Sequence, residues 1–555
     1  MNLTRLSPRV SLFVAVAGFS LCFFFATRAH AGGLELPDSG AEALGRGAAF
    51  TAKADDGTAF IYNIAGFARQ RGTRLYLGGN VVFHDYEFQR SGVYPDMNTA
   101  QTPWGGQPFP RVRDTGPPFF APLFALSTDF GYFDRWTFAI GAYGPSAVGN
   151  RTYPLGVAGF PAPSRYDVVQ PNALVVYPSL AIAVRITHWL DFGVALHVVV
   201  GNFNLTSTSF TDLSQNVCPN PEYQPCDALN TLHVTGVTAT ASAGLLARPS
   251  RWFAFGVNVR GPFTIDASGT VNATPPAILN MMIAPAPATF HTSFPWVVRA
   301  GARFIWVRDR FEQLDLEADA SYESWGSAQG GGPQVEIPSL SIFTDLHPQI
   351  VHHYHDTFSV RVGGAVNVRL PAGVLSLRAG TFYDSSATNN ADTRLDFDTL
   401  AKIGATAGIG YHVRGFNLDI GYAHVFEASR DVTDGDIRPI NGAANGTSMS
   451  ATGQLLPAVN NGHYSARTDI VALSISFNWE TMLKREHPVH YAADYEPYAP
   501  PPAPPRKAPP PVEESPPTDE SAPPPATEER ESDTPDPNAI DAPPAPRKKK
   551  KRKHH

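Results

Sequence analysis

Between positions 74 and 479 the chain repeatedly places apolar side chains at every second residue, with small or polar residues between them. The last stretch is the plainest: Val471, Leu473, Ile475, Phe477 and Trp479 share one parity, and Ala472, Ser474, Ser476 and Asn478 the other. A period of two marks a strand with one face in an apolar medium. The alternation recurs at Leu75, Leu77, Val81 and Phe83, at Leu180, Ile182, Val184 and Ile186, at Phe253, Phe255, Val257 and Val259, and at Phe416, Leu418, Ile420 and Tyr422. Fourteen such runs stand at 74–84, 119–129, 136–143, 174–186, 189–201, 234–247, 251–260, 296–307, 311–323, 357–368, 373–384, 399–412, 415–427 and 464–479. Each is about the length a tilted strand needs to cross a bilayer core.

The connectors separate a membrane barrel from a soluble sandwich. Long ones (85–118, 144–173, 202–233, 261–295, 324–356, 385–398, 428–463) follow odd-numbered runs, whereas short ones such as Thr187-His188, Arg248-Pro249-Ser250 and Arg308-Asp309-Arg310 follow even-numbered runs. An even count with short turns at one rim and long loops at the other is the outer-membrane pattern. The expected fold class is therefore all-β, a 14-stranded antiparallel transmembrane barrel over 74–479. Trp136 and Trp479 at one rim and Tyr322, Tyr383 and Tyr422 at the other keep the lipid-facing parity that an interfacial belt requires, while Trp189 and Trp252 are one residue out of phase.

The ends of the chain read differently. Arg5 and Arg9 precede an apolar run from Val10 to Ala26 and then Ala29-His30-Ala31, the layout of a cleavable secretory leader, 1–31. Leu21 before Cys22 argues against a lipoprotein. Residues 480–555 are rich in Pro, Ala and Glu and close on Arg547 to Lys553, seven basic residues in succession. Such a tail cannot pack a core, so it is expected to be disordered and periplasmic. Its basic end would suit the cell wall or an acidic periplasmic protein, or have no fixed partner.

Charge and cysteine content narrow the chemistry. A net charge of -7 without a basic face gives no footprint for nucleic acid. Cys218 and Cys226 remain after leader removal and lie in a loop-like segment, so a disulfide is favoured over free thiols or a metal pair. His352-His353-Tyr354-His355 lacks a spaced set of further ligands and is read as a solvated loop. With no nucleophile elbow, phosphate loop or paired catalytic carboxylates, neither an enzyme nor a cofactor or metal site is expected.

About forty small-residue-rich positions, 32–73, precede the first strand and show no strand pattern. They contain Gly45-Arg46, Asp55-Asp56 and Asn63-Ile64-Ala65-Gly66. With Tyr322-Glu323-Ser324-Trp325 and the run Arg378 to Asp384, these residues resemble the FadL/TodX family of outer-membrane transporters for fatty acids and aromatic hydrocarbons. The resemblance implies that 32–73 forms a lumenal plug built on Gly45, Arg46, Asp55, Asp56, Asn63, Ala65 and Gly66. It further implies that a hydrophobic ligand is captured outside, enters a plugged lumen and leaves sideways through the wall into lipid. The family's Asn-Pro-Ala is here Asn63-Ile64-Ala65, which places the local turn of the plug in question.

Two further sets of residues are candidates. The connector 261–295 holds Ile278, Leu279, Met281, Met282 and Ile283, an apolar cluster suited either to ligand capture or to packing on the barrel mouth. Arg299, Arg303, Asp315, Glu317, Asp319, Arg361 and Arg378 share the lumenal parity. A hairpin turning symmetrically about Asp309 would set Arg303 opposite Asp315 and Arg299 opposite Asp319, a structural charge ladder, unless one arginine receives a substrate carboxylate. The expectation is a monomeric passive transporter of hydrophobic small molecules. The alternatives are an envelope protein anchored through its basic tail, and a general porin.

Overall fold

The computed structural model describes residues 39–482 apart from 97–103, 145–150, 213–217, 219, 330, 341–342, 349, 398–399, 445 and 451. The leader expected at 1–31, the first plug residues and nearly all of the tail lie outside the described residues.

Fourteen strands form the wall. They are β1 (Arg74–Arg90), β2 (Phe119–Thr128), β3 (Trp136–Tyr143), β4 (Gln170–Arg185), β5 (Leu190–Phe210), β6 (Asp227–Ser250), β7 (Phe253–Arg260), β8 (Val297–Arg308), β9 (Phe311–Glu323), β10 (Thr357–Leu370), β11 (Gly373–Asp384), β12 (Lys402–Val413), β13 (Phe416–Glu427) and β14 (Gly462–Asn478). Each pairs antiparallel with the next. The circle closes where β1 pairs with β14 from Arg74↔Asn478 to Arg90↔Gly462. Closure leaves no free sheet edge, the condition for a sheet to cross a membrane. No described helix is long and apolar enough to cross one.

The expected parity holds around the wall. Leu77, Ile140, Leu196, Phe255, Leu316, Leu377, Ile420 and Leu473 are exposed on the outside. Their neighbours in sequence point into the lumen. Strands differ from expectation mainly at the loop-bearing end, where β5 and β6 reach 21 and 24 residues. Beyond the bilayer one face no longer needs to be apolar, so Asn- and Thr-rich sequence continues the backbone ladder without the alternating signal. A hairpin of Phe263–Thr274 and Ala286–Phe294 pairs with the upper part of β6 and raises the wall further.

The hairpin expectation at β8 and β9 requires a correction. The turn sets Arg308 opposite Phe311, one residue off the expected symmetry, and a one-residue bulge between Trp306 and Val307 adds a second, so Arg303 lies opposite Glu317, and Arg299 opposite Ser321. Lumenal parity survives because the two offsets together are even. Of the out-of-phase tryptophans, Trp189 sits in the turn before β5, and Trp252 in the turn before β7, its ring tilted against that of Trp306 with centroids 5.4 Å apart.

Candidate functional site

Residues 39–70 lie inside the wall and are almost entirely buried. A short helix (Ala41–Gly45), a turn (Ala59–Tyr62) and a 3-10 helix (Ile64–Arg69) supply their regular structure. The wall accommodates them by omitting side chains where the backbones meet. A Cβ on Gly363 would lie 1.9 Å from Arg46 O, and one on Gly256 would lie 2.1 Å from Thr51 O. Gly45 itself faces Gly408, at 2.9 Å from the Cβ that Gly408 lacks.

Arg46 is wholly buried and reaches across to β9. Its Nη1 donates to both oxygens of Asp315 at 2.8 Å, and Nη2 lies 3.3 Å from Glu317. Arg303 donates through Nε to Asp315 at 2.6 Å and also pairs with Glu312. The same acidic strand takes up backbone donors: Glu317 accepts from Ala52 at 2.6 Å, and Asp319 accepts from Phe50 and Thr51 at 2.9 Å. Charge-assisted bonds in a buried setting are the stronger kind, so β9 is the main polar seat of the segment. Arg299 donates to Ile61 O at 2.8 Å, Arg361 pairs with Asp384 at 3.0 Å, and Arg378 with Asp419 at 2.7 Å and Glu42 at 3.3 Å. All four arginines of the ladder are thus engaged by protein groups.

Asn63 caps the 3-10 helix, accepting from Ala65 N at 3.1 Å, while its amide donates to Thr51 O and Leu245 O at 2.9 and 3.0 Å. Ile64, where the family motif has proline, uses the N–H that proline lacks to reach Asn258 Oδ1 at 3.3 Å. The departure from the motif therefore keeps the turn and adds a bond to the wall. A Cβ on Gly66 would lie 1.9 Å from Ala54 O, so this glycine closes the loop on itself. Asp55 pairs with Lys53 at 2.6 Å, and Asp56 accepts from Thr58 N at 2.8 Å.

At the loop-bearing end a cavity of about 140 Å³ lies between five connectors and the upper wall. Val168, Phe203, Leu205, Phe290, Ile350 and Phe397 give it apolar sides, and Asp167, Arg394 and Asp396 a charged end. Arg394 joins Asp167 at 2.9 Å, and Asp396 meets His352 Nε2 at 3.0 Å. Burial above all pushes the Asp167 carboxyl up to about 6, against the pull of Arg394. For Asp396 burial is outweighed by His352 and Arg394, which hold it down at about 2. His353 pairs with Asp392 at 2.7 Å, so the first two histidines of the expected solvated cluster are tied to carboxylates.

The apolar connector residues lie on the raised hairpin. Ile278 and Leu279 fall in a 3-10 turn, Met281 and Met282 are exposed, Met282 at 95%, and Ile283 packs against the main apolar core. The Cys218–Cys226 disulfide is formed in the neighbouring connector. Glu42, His412 and Asp419 could geometrically hold a cation, but the Arg378 guanidinium already bonds both carboxylates.

β3 has only eight residues and ends at Tyr143, paired with Leu123 on one side and Tyr177 on the other. Residues 145–150, which follow Gly144 after β3, lie outside the described residues. Nearer the loops, Thr115 N donates to Thr152 O at 2.8 Å and Tyr153 N to Val169 O at 2.8 Å.

A closed 14-strand wall with an apolar outer band and a segment docked in its lumen defines an outer-membrane barrel. The family model for outer membrane protein transport proteins (OMPP1/FadL/TodX) matches residues 22–464, and the chain belongs to that family of outer-membrane transporters for hydrophobic compounds. No curated protein matches the chain in sequence. Among solved structures, a Pseudomonas aeruginosa FadL homologue is 16% identical with a TM-score of 0.63, covering 81% of this chain and 100% of its own. The P. putida toluene transporter TodX is 16% identical with a TM-score of 0.56, covering 80% and 99%. The Ralstonia pickettii toluene transporter TbuX is 15% identical with a TM-score of 0.53, covering 80% and 99%. At these identities the likeness concerns the fold.

Proposed function

We propose that the chain admits compounds of about the size of one aromatic ring, taking them from the apolar tip at Ile278–Ile283 through the outer cavity into the lumen above the plug. The observation that carries this is the cavity. About 140 Å³ lined by Phe203, Leu205 and Phe290 is close to the apolar volume of roughly 150 Å³ that holds benzene in an engineered protein, and below the range of drug-sized pockets. The toluene carriers TodX and TbuX, similar in fold, favour the same class. Exit sideways through the wall suits such a compound, because a hydrophobic ligand retains about 25 cal/mol per Å² by passing into lipid rather than water.

Uptake of radiolabelled toluene and of a long-chain fatty acid by cells expressing the full chain tests the proposal. Leu205→Trp, which fills the cavity, is expected to abolish toluene uptake, and Met281→Asp with Met282→Asp to slow it. Fatty-acid uptake exceeding toluene uptake would overturn the size assignment. Removing 484–555 is expected to leave uptake intact; loss of uptake would favour the tail-anchored alternative.

A further inference from the structure

Outside the lumen, the outward rows of β1 and β14 change character at one height. Along β1, Leu77, Val81 and Phe83 give way to Asp85 and Glu87; along β14, Leu473 and Val471 give way to Asp469 and Arg467. Asp85 is paired in register with Arg467, and Glu87 with Arg113 of a two-residue strand, Val112–Arg113. Asp85 accepts from Arg113 Nε at 2.6 Å and lies 3.1 Å from Arg467 Nη2. Glu87 lies 3.3 Å from Arg111 Nη1 and 3.6 Å from Arg113 Nε. Two carboxylates thus hold three guanidiniums side by side, yet the side chains of Arg111, Arg113 and Arg467 remain 65%, 55% and 65% exposed.

Exposed ion pairs contribute little to stability, so folding alone does not explain three fixed cationic heads. A guanidinium has more donors than these carboxylates take up, in a planar array that matches phosphate. The two further carboxylates nearby have hydrogen-bond partners of their own. Asp469 is held by His424 at 2.7 Å and Tyr422 at 2.6 Å, and Asp431 by His463 at 2.7 Å. Its height is decisive: the cluster starts one outward position above Phe83, in the headgroup layer of the loop-bearing leaflet.

We propose that Arg111, Arg113 and Arg467 bind the phosphate of an outer-leaflet glycolipid whose acyl chains lie along Leu77, Phe83, Val471 and Leu473. The lipid is a fixed boundary component, distinct from the transported compound. Native mass spectrometry of the full chain in detergent, supplied with bisphosphorylated lipid A, with dephosphorylated lipid A or with inorganic phosphate, tests this.

Retention of the phosphorylated lipid alone is expected, falling about tenfold in Arg113→Ala/Arg467→Ala, with partial retention in Arg113→Lys/Arg467→Lys, since a point charge replaces a fork. Arg308→Ala, at the opposite rim and 71% exposed, is expected to change nothing. Equal retention of the two lipids, full retention by the double alanine variant, equal loss in Arg308→Ala, or displacement of the lipid by inorganic phosphate would each overturn the proposal. Heat-modifiable migration on gels confirms that the variants have closed barrels.

Discussion

Replacing Arg46 by alanine removes the one wholly buried cation of the plug from between Asp315 and Glu317. Breaking a buried pair from one side costs about 3–5 kcal/mol, because the remaining charge stays desolvated. Here Arg303 still reaches Asp315 at 2.6 Å, so the lower end applies. About 3 kcal/mol corresponds to roughly a hundredfold rise in the ratio of undocked to docked plug. The backbone bonds from Phe50, Thr51 and Ala52 to Asp319 and Glu317 remain, so the barrel should still fold and the plug should detach intermittently. In planar bilayers the variant is expected to show brief conductance steps absent from the parent, and in liposomes to admit small sugars. Adding Asp315→Asn and Glu317→Gln should restore much of the closure by removing the uncompensated charges. A variant as silent as the parent, with unchanged hydrogen exchange over 46–52, would refute the role assigned to this pair.

Other outcomes follow from the same geometry. Gly363→Ala forces a methyl within 1.9 Å of Arg46 O, so it should lower the melting temperature and open the channel, whereas Gly331→Ala, with open space around it, should do neither. Ile64→Pro, although it restores the family motif, should destabilise by about 1 kcal/mol through loss of the bond to Asn258, read by thermal melting. Since Asp167 titrates at about 6 in the folded protein against 3.8 ordinarily, its contribution is full below about pH 3.8 and is lost as pH rises through about 6. The connectors around the cavity should therefore be better protected from hydrogen exchange near pH 5 than near pH 7.5 by this group, and Asp167→Asn should remove that difference.

Much of the wall was legible in the residues because lipid on one face imposes a period of two, and short turns alternate with long loops. The ends of β3, β9 and β11 coincide with the sequence pattern. The outer halves of β5 and β6 were not legible, since strands above the bilayer are held by backbone pairing without an apolar face. The pairing partners of β8 and β9 were also hidden, because the turn and the bulge at Trp306 each offset the register by one residue, which together leaves the parity of Arg303 and Asp315 unchanged while altering which residues meet.

The sequence by itself determined the barrel, the parity of its charges and the presence of a small-residue segment before it. Only the tertiary structure decided the partners. Arg46 meets Asp315 across 269 positions of chain, and the cavity assembles Val168, Leu205, Phe290, Ile350 and Phe397 from separate connectors. No local period records such meetings, because they depend on closure of the wall and on where its glycines let the plug backbone approach.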